Sequence, residues 1–385
     1  MKREDRRFAM KHSSERILTS HAGSLPRADD VRAMLAAKHA GQPYDRAAFA
    51  ARVRAAVSEV VRKQIESGID VVNDGELSKI NFTSYARERL GGVAQRKRQP
   101  GQPSFKIWGR DEVEFPEYFA AIDLGVDYAV CSGPLTYVGH EAVQADIANL
   151  KAALEGVSVT EAFITAVAPG TIEHWLKDEY YADEESYLAA IAEAMREEYR
   201  AIVDAGFILQ IDDPDLGDAW QIHPELDVRA YRRFAELRID VLNHALRGIA
   251  AERVRFHMCW GSYHGPHKYD IPLDQIIDLV LKVNAQCYSI EASNPRHEHE
   301  WQMWRKVKLP DGKILMPGVV GHASDFVEHP QLVAERLQKY AGLVGRDNLI
   351  AGTDCGLGTR VGHPKIAWAK FEAMAEGARL ASRQE

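Results

Sequence analysis

The stretch SYLAAIAEAMREEYRAIVDAGFILQIDDP (residues 186–214) decides the fold class, because it contains one complete helix-to-strand unit. Its first part carries apolar side chains at three- and four-residue spacing and ends at a glycine, which predicts an amphipathic helix. The remainder, FILQIDDP, is a short apolar run that ends in two aspartates, as is typical of a buried strand. Such units build proteins in which helices cover a parallel sheet.

The same unit recurs along the chain, with further helical patterns at residues 49–68 and 273–284. The candidate strands are residues 16–23, 69–76, 162–170, 207–214, 254–261, 287–293, 314–321 and 348–356. Eight strand–helix units favour an α/β fold of the (β/α)8 TIM-barrel type. An open, doubly wound sheet is the alternative.

One segment, residues 85–160, is surplus to this pattern and lies between the second and third candidate strands. We expect residues 1–385 to form a single barrel domain that carries this segment as an insertion. Within it, residues 91–105 are basic and rich in proline and glycine, which predicts an exposed excursion. Residues 127–139 are interpreted as a small hairpin that covers one rim of the barrel.

The composition excludes several classes of partner. The chain has 385 residues, 46% of them hydrophobic and 27% charged, with a formal net charge of −8. This charge gives no electrostatic reason to expect binding to nucleic acid or to an anionic membrane. No apolar stretch follows the N-terminus, so we expect neither a signal peptide nor a membrane span, and the cytoplasm is the expected compartment. The sequence leaves open whether the chain forms a homo-oligomer.

Polar side chains stand at the carboxyl ends of nearly all the candidate strands. They are His21, Asp74, Glu76, Asp212, Asp213, His257, Cys259, Glu291, His322, Asp354 and Cys355. In a barrel these strand ends meet at one mouth, where enzymes of this architecture place their active sites.

Four of these residues predict a zinc site. His257 and Cys259 are two residues apart on a strand, so their side chains leave the same face. Taken alone, the pair also fits a buried neutral histidine beside a core cysteine. Glu291 ends the next strand, and Cys355 follows the last strand in a glycine-rich turn, which completes a set of four ligands suited to Zn²⁺.

The charge of this ligand set has a chemical consequence. Two thiolates, a carboxylate and a neutral imidazole leave a site of net charge about −1 around Zn²⁺. Such a site favours binding of a thiol, which ionises and remains nucleophilic at neutral pH. Glu291 is the ligand that an incoming sulfur would most readily replace. All four cysteines are expected to be reduced thiols or ligands rather than disulfides.

The loop after the fifth candidate strand contains two more histidines, His264 and His267, in the run SYHGPH. They either line the substrate cavity or stabilise the loop. A second histidine-rich run, NPRHEHEW (residues 294–301), has the spacing of hydrogen bonding and helix capping rather than of metal binding.

Six motifs together resemble the catalytic barrel of cobalamin-independent methionine synthases and their relatives, which include epoxyalkane:coenzyme M transferase. In chain order they are AGSLPR (22–27), NDGELSK (73–79), QIDDP (210–214), HMCW (257–260), SIEASN (289–294) and GTDCGLGTR (352–360). The resemblance covers residues 16 to about 375. It implies a zinc-dependent barrel that alkylates a thiol, with the zinc on His257, Cys259, Glu291 and Cys355.

The resemblance also implies a substrate clamp. Gly23 and Ser24 would hold an amino-acid carboxylate, and Glu76 and Asp212 would hold its ammonium group. One departure from the family concerns the proton donor to the leaving group, which the family carries in a YDIHS pattern. Here the stretch is VVGHAS (319–324), with Gly321 in place of the aspartate and the candidate donor, His322, displaced by one residue.

Three functions follow as hypotheses. The first is methyl transfer to a zinc-bound thiol, homocysteine, from a methylated pterin or another methyl carrier, a reaction of methionine biosynthesis. The second is alkylation of another thiol, such as coenzyme M opening an epoxide. A sulfonate would need cations at the mouth, for which Arg27, Lys79 and Arg296 are candidates. The third is a zinc-binding protein without catalysis.

Overall fold

The structure is a computed structural model that describes residues 9–96, 109–122 and 128–383. Within these residues the strands are, in chain order, β1 (Leu18–Thr19), β2 (Val71–Asn73), β3 (Leu90–Arg96), β4 (Tyr128–Tyr137), β5 (Glu161–Val167), β6 (Leu176–Asp178), β7 (Ile208–Asp212), β8 (Val254–Met258), β9 (Cys287–Ile290), β10 (Ile314–Val320) and β11 (Ile350–Thr353). The α-helices are α1 (Asp29–His39), α2 (Arg46–Glu66), α3 (Phe82–Glu88), α4 (Arg110–Glu114), α5 (Pro116–Ala120), α6 (His140–Leu154), α7 (Pro169–Trp175), α8 (Glu184–Asp204), α9 (Asp215–Ile222), α10 (Val228–Ala245), α11 (Ile277–Val280), α12 (Pro330–Val344) and α13 (Pro364–Arg383).

Eight parallel strands form a nearly closed barrel in the order β1-β11-β10-β9-β8-β7-β5-β2. The ends of this order, β1 and β2, are joined by hydrogen bonds from Asp70 N to Thr19 O (3.1 Å) and from Ser20 Oγ to Val71 O (3.1 Å). Seven of the eight predicted segments contain one of these strands, and the eighth, 162–170, overlaps β5, which begins one residue earlier. The predicted (β/α)8 TIM barrel is confirmed.

The helix and strand at residues 186–214 form as the apolar spacing and the terminal glycine of this stretch predict. Asp183 caps α8, because its side chain accepts a hydrogen bond from Ser186 N at 2.7 Å. The apolar face of the helix, which includes Leu188 and Ile191, is fully buried. The helix ends before Gly206, which has a φ of +95°, and β7 follows with all its residues buried.

The barrel interior is layered. An apolar plug fills the amino-terminal end of the strands and consists of Met10, Leu18, Val71, Phe163, Ile208, Cys287, Ile314, Met316 and Ile350. Two residues further along, β7 and β8 contribute Gln210 and Arg255, which are paired in register. The next registered pair on the same face is Asp212 and His257, at the mouth. The barrel therefore becomes polar towards the carboxyl ends of its strands, where the site lies.

A second, three-stranded sheet has the order β3-β4-β6. The hairpin predicted for residues 127–139 is wrong, because β4 is one long strand that pairs antiparallel with β3. The glycine–proline pair that suggested a turn, Gly133 and Pro134, instead lies where the register of this pairing shifts. Of the predicted excursion at 91–105, the first part is β3 and residues 97–105 lie outside the described residues.

The predicted insertion, residues 85–160, also includes α6, which packs against α2 and α8. Arg89 joins α6 and α8 by ion pairs, since its guanidinium lies 2.5 Å from Asp146 on α6 and 3.1 Å from Glu198 on α8. All three side chains are buried. The division of the chain into one domain with an insertion at 85–160 stays a prediction.

Candidate metal and substrate site

Three of the four predicted metal ligands lie together at the mouth of the barrel. The ligand atoms of His257, Cys259 and Cys355 all lie within 4.8 Å of one another. The two sulfur atoms are 3.9 Å apart, with Cys259 donating to Cys355. His257 Nδ1 lies 3.0 Å from Ser289 Oγ, whereas its Nε2 is buried without a hydrogen-bond partner among the described residues. A buried ring nitrogen of this kind beside two sulfurs is suited to bind a metal ion.

The protonation of these three groups is linked. The hydrogen bond from Cys259 lowers the pKa of the Cys355 thiol well below its usual value, although burial opposes the shift, and His257 lowers it further. The same hydrogen bond, together with burial, raises the pKa of Cys259 well above its usual value. Burial alone would lower the pKa of His257, but Cys355 and Asp212 raise it. Cys355 is therefore the sulfur that ionises first, as a soft metal ligand must.

Glu291, the fourth predicted ligand, belongs to a neighbouring group. One of its carboxylate oxygens, one ring nitrogen of His322 and one oxygen of Asp354 lie within 4.8 Å of one another. Glu291 Oε2 accepts a hydrogen bond from Trp260 N and Oε1 accepts one from Asn294 Nδ2, both at 3.0 Å. Burial raises the pKa of Glu291, and His322 opposes this shift. Glu291 is thus held beside the sulfur pair but is not part of the same tight cluster.

His322 and Asp354 differ in how well they are satisfied. Asp354 Oδ1 accepts hydrogen bonds from Ala292 N and Ser293 N at 2.8 Å, and its Oδ2 accepts one from Ser293 Oγ at 2.6 Å. Both ring nitrogens of His322 are buried and lack a hydrogen-bond partner among the described residues. Asp354 therefore holds the loop that carries Glu291, whereas the catalytic role of His322 stays a prediction.

The four residues of the predicted amino-acid clamp also converge at the mouth. Glu76 is buried, and its Oε1 accepts a hydrogen bond from Thr165 Oγ1 at 2.9 Å. Gly23 has a φ of +125°, and a Cβ atom there would lie 2.7 Å from Glu76 Oε1. Ser24 is partly buried, and its carbonyl accepts a hydrogen bond from Gly358 N at 3.0 Å. The glycine-rich turn after β11 thus lies against the loop that follows β1.

Asp212, the fourth residue of the predicted clamp, lies beside the predicted metal ligands. It pairs in register with His257, and its carboxylate interacts electrostatically with Glu76 and Cys355. Burial and the charge of Glu76 raise its pKa to about 8, although His257 opposes the shift. Two buried carboxylates this close are stabilised together by a cation placed between them.

The two histidines of the SYHGPH loop have different surroundings. His264 is exposed, and its carbonyl accepts a hydrogen bond from Tyr118 OH. His267 is buried with a φ of +52°, and its Nδ1 lies 2.8 Å from Asp270 Oδ2. Its Nε2 lies 3.3 Å from the carbonyl of Tyr263, so both nitrogens are used within the loop. These contacts favour the stabilising role for His267, and a direct role for either histidine at the substrate stays a prediction.

Sequence reasoning missed the support that His297 provides. Its Nε2 lies 3.0 Å from Asp270 Oδ2 and its Nδ1 lies 3.0 Å from Glu300 Oε2. The ring stacks on Trp260, with centroids 3.8 Å apart and planes 15° apart. Trp260 N donates a hydrogen bond to Glu291, so His297 helps to position this predicted ligand through Trp260. The NPRHEHEW run indicated hydrogen bonding, but only the fold shows which groups are joined.

The cations that a sulfonate would need are engaged elsewhere or exposed. Arg27 Nη2 donates to the carbonyls of Glu76 and Lys79, both at 2.8 Å. Lys79 is buried, and its Nζ donates to Thr165 O at 2.7 Å. Arg296 is exposed.

A comparison with known protein families decides the relationship. The family described as "Cobalamin-independent synthase, Catalytic domain" matches residues 17–102 and 164–379. The chain belongs to this family. The cobalamin-independent synthase match is interrupted over residues 103–163, which include most of the predicted insertion.

Similar proteins support the same assignment over nearly the whole length. The methionine synthase of Sulfolobus acidocaldarius is 26% identical over 93% of this chain and 90% of its own. The methionine synthase of Thermococcus kodakarensis is 24% identical over 87% of this chain and 85% of its own. Among solved structures, a B12-independent methionine synthase from Shewanella sp. W3-18-1, in complex with selenomethionine, has a TM-score of 0.72 and 21% identity, and the match covers 96% of this chain and 98% of that one.

In the part of the chain that the structure describes, no helix has the length and apolar character needed to cross a membrane.

Proposed function

We propose that this protein transfers a methyl group to the sulfur of homocysteine, using a zinc ion held by His257, Cys259 and Cys355 with Glu291 as the replaceable fourth ligand. The observation that carries the proposal is the cluster of one imidazole and two sulfurs at the barrel mouth, in which His257 and Cys259 are buried and His257 Nε2 has no hydrogen-bond partner among the described residues. Family membership and the relatives named methionine synthase support the reaction.

The donor set supports zinc among the common metals. Two thiols and an imidazole suit zinc, whereas calcium and magnesium require oxygen ligands. When bound, zinc would lower the pKa of an added thiol and keep its sulfur nucleophilic at neutral pH.

The clamp supports an α-amino acid as the carrier of that thiol. Glu76 and Asp212 together can balance the charge of an ammonium group, because a cation beside them favours the ionised form of Asp212, and Asp212 Oδ2 accepts no hydrogen bond from the described residues. The loop at Gly23 and Ser24 lies directly beside Glu76 and offers a place for the carboxylate. Binding both groups would orient the sulfur towards the metal ligands, which lie one strand away.

His322 would donate the proton that the departing methyl carrier requires. It is buried beside Glu291, and neither of its ring nitrogens has a partner among the described residues. His322→Gln should therefore lower kcat about 100-fold or more while leaving the KM for homocysteine within a few-fold. An unchanged kcat would remove His322 from the reaction.

A sulfonate-bearing thiol is the less supported acceptor, because Arg27 and Lys79 donate their hydrogen bonds inside the protein and Arg296 is exposed. The closely spaced thiols of Cys259 and Cys355 require a reducing compartment, which we propose to be the cytoplasm. The methyl donor is a small molecule or carrier that reaches the open mouth of the barrel.

The decisive experiment follows the metal while the acceptor is added. Zinc-edge X-ray absorption should show one new zinc–sulfur contact when homocysteine is added to the zinc-loaded protein. Cys355→Ser should abolish tight zinc binding and methyl transfer together. Cys131→Ser removes another buried thiol, in the second sheet, and should preserve both properties. Full activity in a metal-free Cys355→Ser protein would refute the proposal.

A further inference from the structure

The guanidinium of Arg255 is buried in the barrel interior without a carboxylate partner. Arg255 is 1% exposed, and no carboxylate of the described residues forms an ion pair with its guanidinium. Its Nε donates to Gln210 Oε1 at 2.7 Å, its Nη1 to Ser20 Oγ at 2.8 Å and its Nη2 to His21 O at 3.2 Å. Burial lowers its pKa only to about 10, so the group stays charged at neutral pH. Burying a charge among neutral acceptors costs free energy, which indicates that Arg255 has a specific role at this position.

Arg255 determines which way the side-chain amide of Gln210 faces. A guanidinium can only donate hydrogen bonds, so the oxygen of the amide must face Arg255. The nitrogen then faces the opposite side, where Nε2 donates to Asp212 Oδ1 and to Ala22 O, both at 2.7 Å. The reversed amide would set an oxygen against a carboxylate and a carbonyl, and would lose all three hydrogen bonds.

The amide thereby ties together the two halves of the proposed clamp. Asp212 is the proposed acceptor of the substrate ammonium, and Ala22 directly precedes the proposed carboxylate-binding residues Gly23 and Ser24. With Oδ1 of Asp212 occupied by Gln210, the other oxygen remains for the substrate. Gln210 and Arg255 form the layer immediately beneath this pair, between it and the apolar plug.

We propose that Arg255 and Gln210 are positioning residues for the substrate amine: the arginine orients the glutamine amide, and the amide fixes Asp212 relative to the loop at 22–24. This inference rests on the proposed function, because it concerns how that site selects an amino-acid thiol. Among the described residues, neither side chain forms a hydrogen bond with a proposed metal ligand. Variants of Arg255 and Gln210 should therefore retain the metal.

The test compares two thiols. Calorimetric titration of the zinc-loaded protein measures the affinity for homocysteine and for its desamino analogue, which keeps the thiol and the carboxylate. The wild type should bind homocysteine more tightly. In Gln210→Met and in Arg255→Met the affinity for homocysteine should fall about 10- to 100-fold, with less than about a threefold change for the analogue. The double variant should lose less than the sum of the single effects, because the arginine acts through the glutamine.

Gln286→Met is the matched control. Gln286 is also a buried glutamine, but it precedes β9 at the opposite end of the barrel and binds Met10 N. Both affinities should be unchanged in that variant. If Arg255→Met does not fold, the ratio of the two affinities in Gln210→Met alone decides the question.

The outcomes separate this inference from the function on which it rests. A wild-type protein that binds both thiols equally would refute the amine clamp itself. A wild-type preference for homocysteine that survives in both variants, or a loss that is equal for both thiols, would refute the positioning role and leave the proposed function intact.

Discussion

Replacing His297 with glutamine should flatten the fall in stability that the protein shows between neutral and alkaline pH. His297 is 2% exposed and lies between the carboxylates of Asp270 and Glu300, each 3.0 Å from one ring nitrogen. Burial alone would lower its pKa, but these two hydrogen bonds and their charges raise it from 6.5 to about 9. The charged ring also stacks on Trp260, which favours the protonated form.

The direction and magnitude of this change in stability follow from the pKa of His297 in the unfolded chain, 6.5, and in the folded protein, about 9. Below pH 6.5 the histidine is protonated in both the folded and the unfolded chain, so its stabilising contribution is fully present. Between pH 6.5 and about 9 the unfolded chain loses the proton that the folded protein keeps, and the free energy of unfolding falls. The shift is worth at most about 3 kcal/mol, lost over that interval. Asp270 shares this interaction, so its own lowered pKa is not counted again.

Urea unfolding of the zinc-loaded protein at pH 6, 7, 8, 9 and 9.5 measures the effect. The wild type should lose about 3 kcal/mol more than His297→Gln across this range, because cysteines, tyrosines and lysines that titrate there are common to both. His244→Gln is the control, since His244 is half exposed on α10 beside Glu193 and should leave the slope nearly unchanged. Parallel pH profiles for the wild type and His297→Gln would refute the assigned charge.

Three further substitutions test the geometry of the site and its frame. Gly23→Ala should weaken homocysteine binding about tenfold or more, measured by calorimetry, because the added Cβ would lie 2.7 Å from Glu76 Oε1 at a φ of +125°. Gly318→Ala should lower the unfolding free energy by about 2–3 kcal/mol, because its Cβ would lie 2.0 Å from Asp354 Oδ1, and a normal melting temperature would contradict this packing. Arg89→Met should cost about 3–5 kcal/mol in chemical denaturation, because it removes the cation that pairs with two buried carboxylates, and a loss below about 1 kcal/mol would contradict this pairing.

The barrel could be predicted because its signals are local. Each strand is a short apolar run that ends in a polar residue, and each helix carries its own spacing and stop signal, as Gly206 does after α8. The second sheet could not be predicted in the same way. Whether Gly133 and Pro134 turn the chain depends on β3, forty residues earlier in the sequence, which supplies the partner that keeps β4 extended.

The meeting of His257 and Cys259 at the barrel mouth was predictable for a related reason, since both stand at a strand end and residues two apart on a strand leave the same face. The roles of other histidines were not. His267 and His297 occur in loops of similar composition. The side chains of both lie within hydrogen-bond distance of the carboxylate of Asp270, a residue that no metal or substrate motif singled out. A hydrogen-bond network that joins two loops has no signature within either of them.

The departure at Gly321 has a physical explanation in its surroundings. The resembled family carries an aspartate where this chain has Gly321, one residue before its own displaced histidine, His322. A Cβ at this position would lie 3.5 Å from Glu328 Oε1 and 3.9 Å from Asp354 Oδ2, and Gly321 N already donates to Glu328 at 2.7 Å. An aspartate there would bring a third carboxylate beside Glu328 and Asp354 in a partly buried setting, which is unfavourable. The acidic groups beside His322 are instead Glu291 and Asp354, which come from other loops, and a glycine at 321 adds no further carboxylate to them.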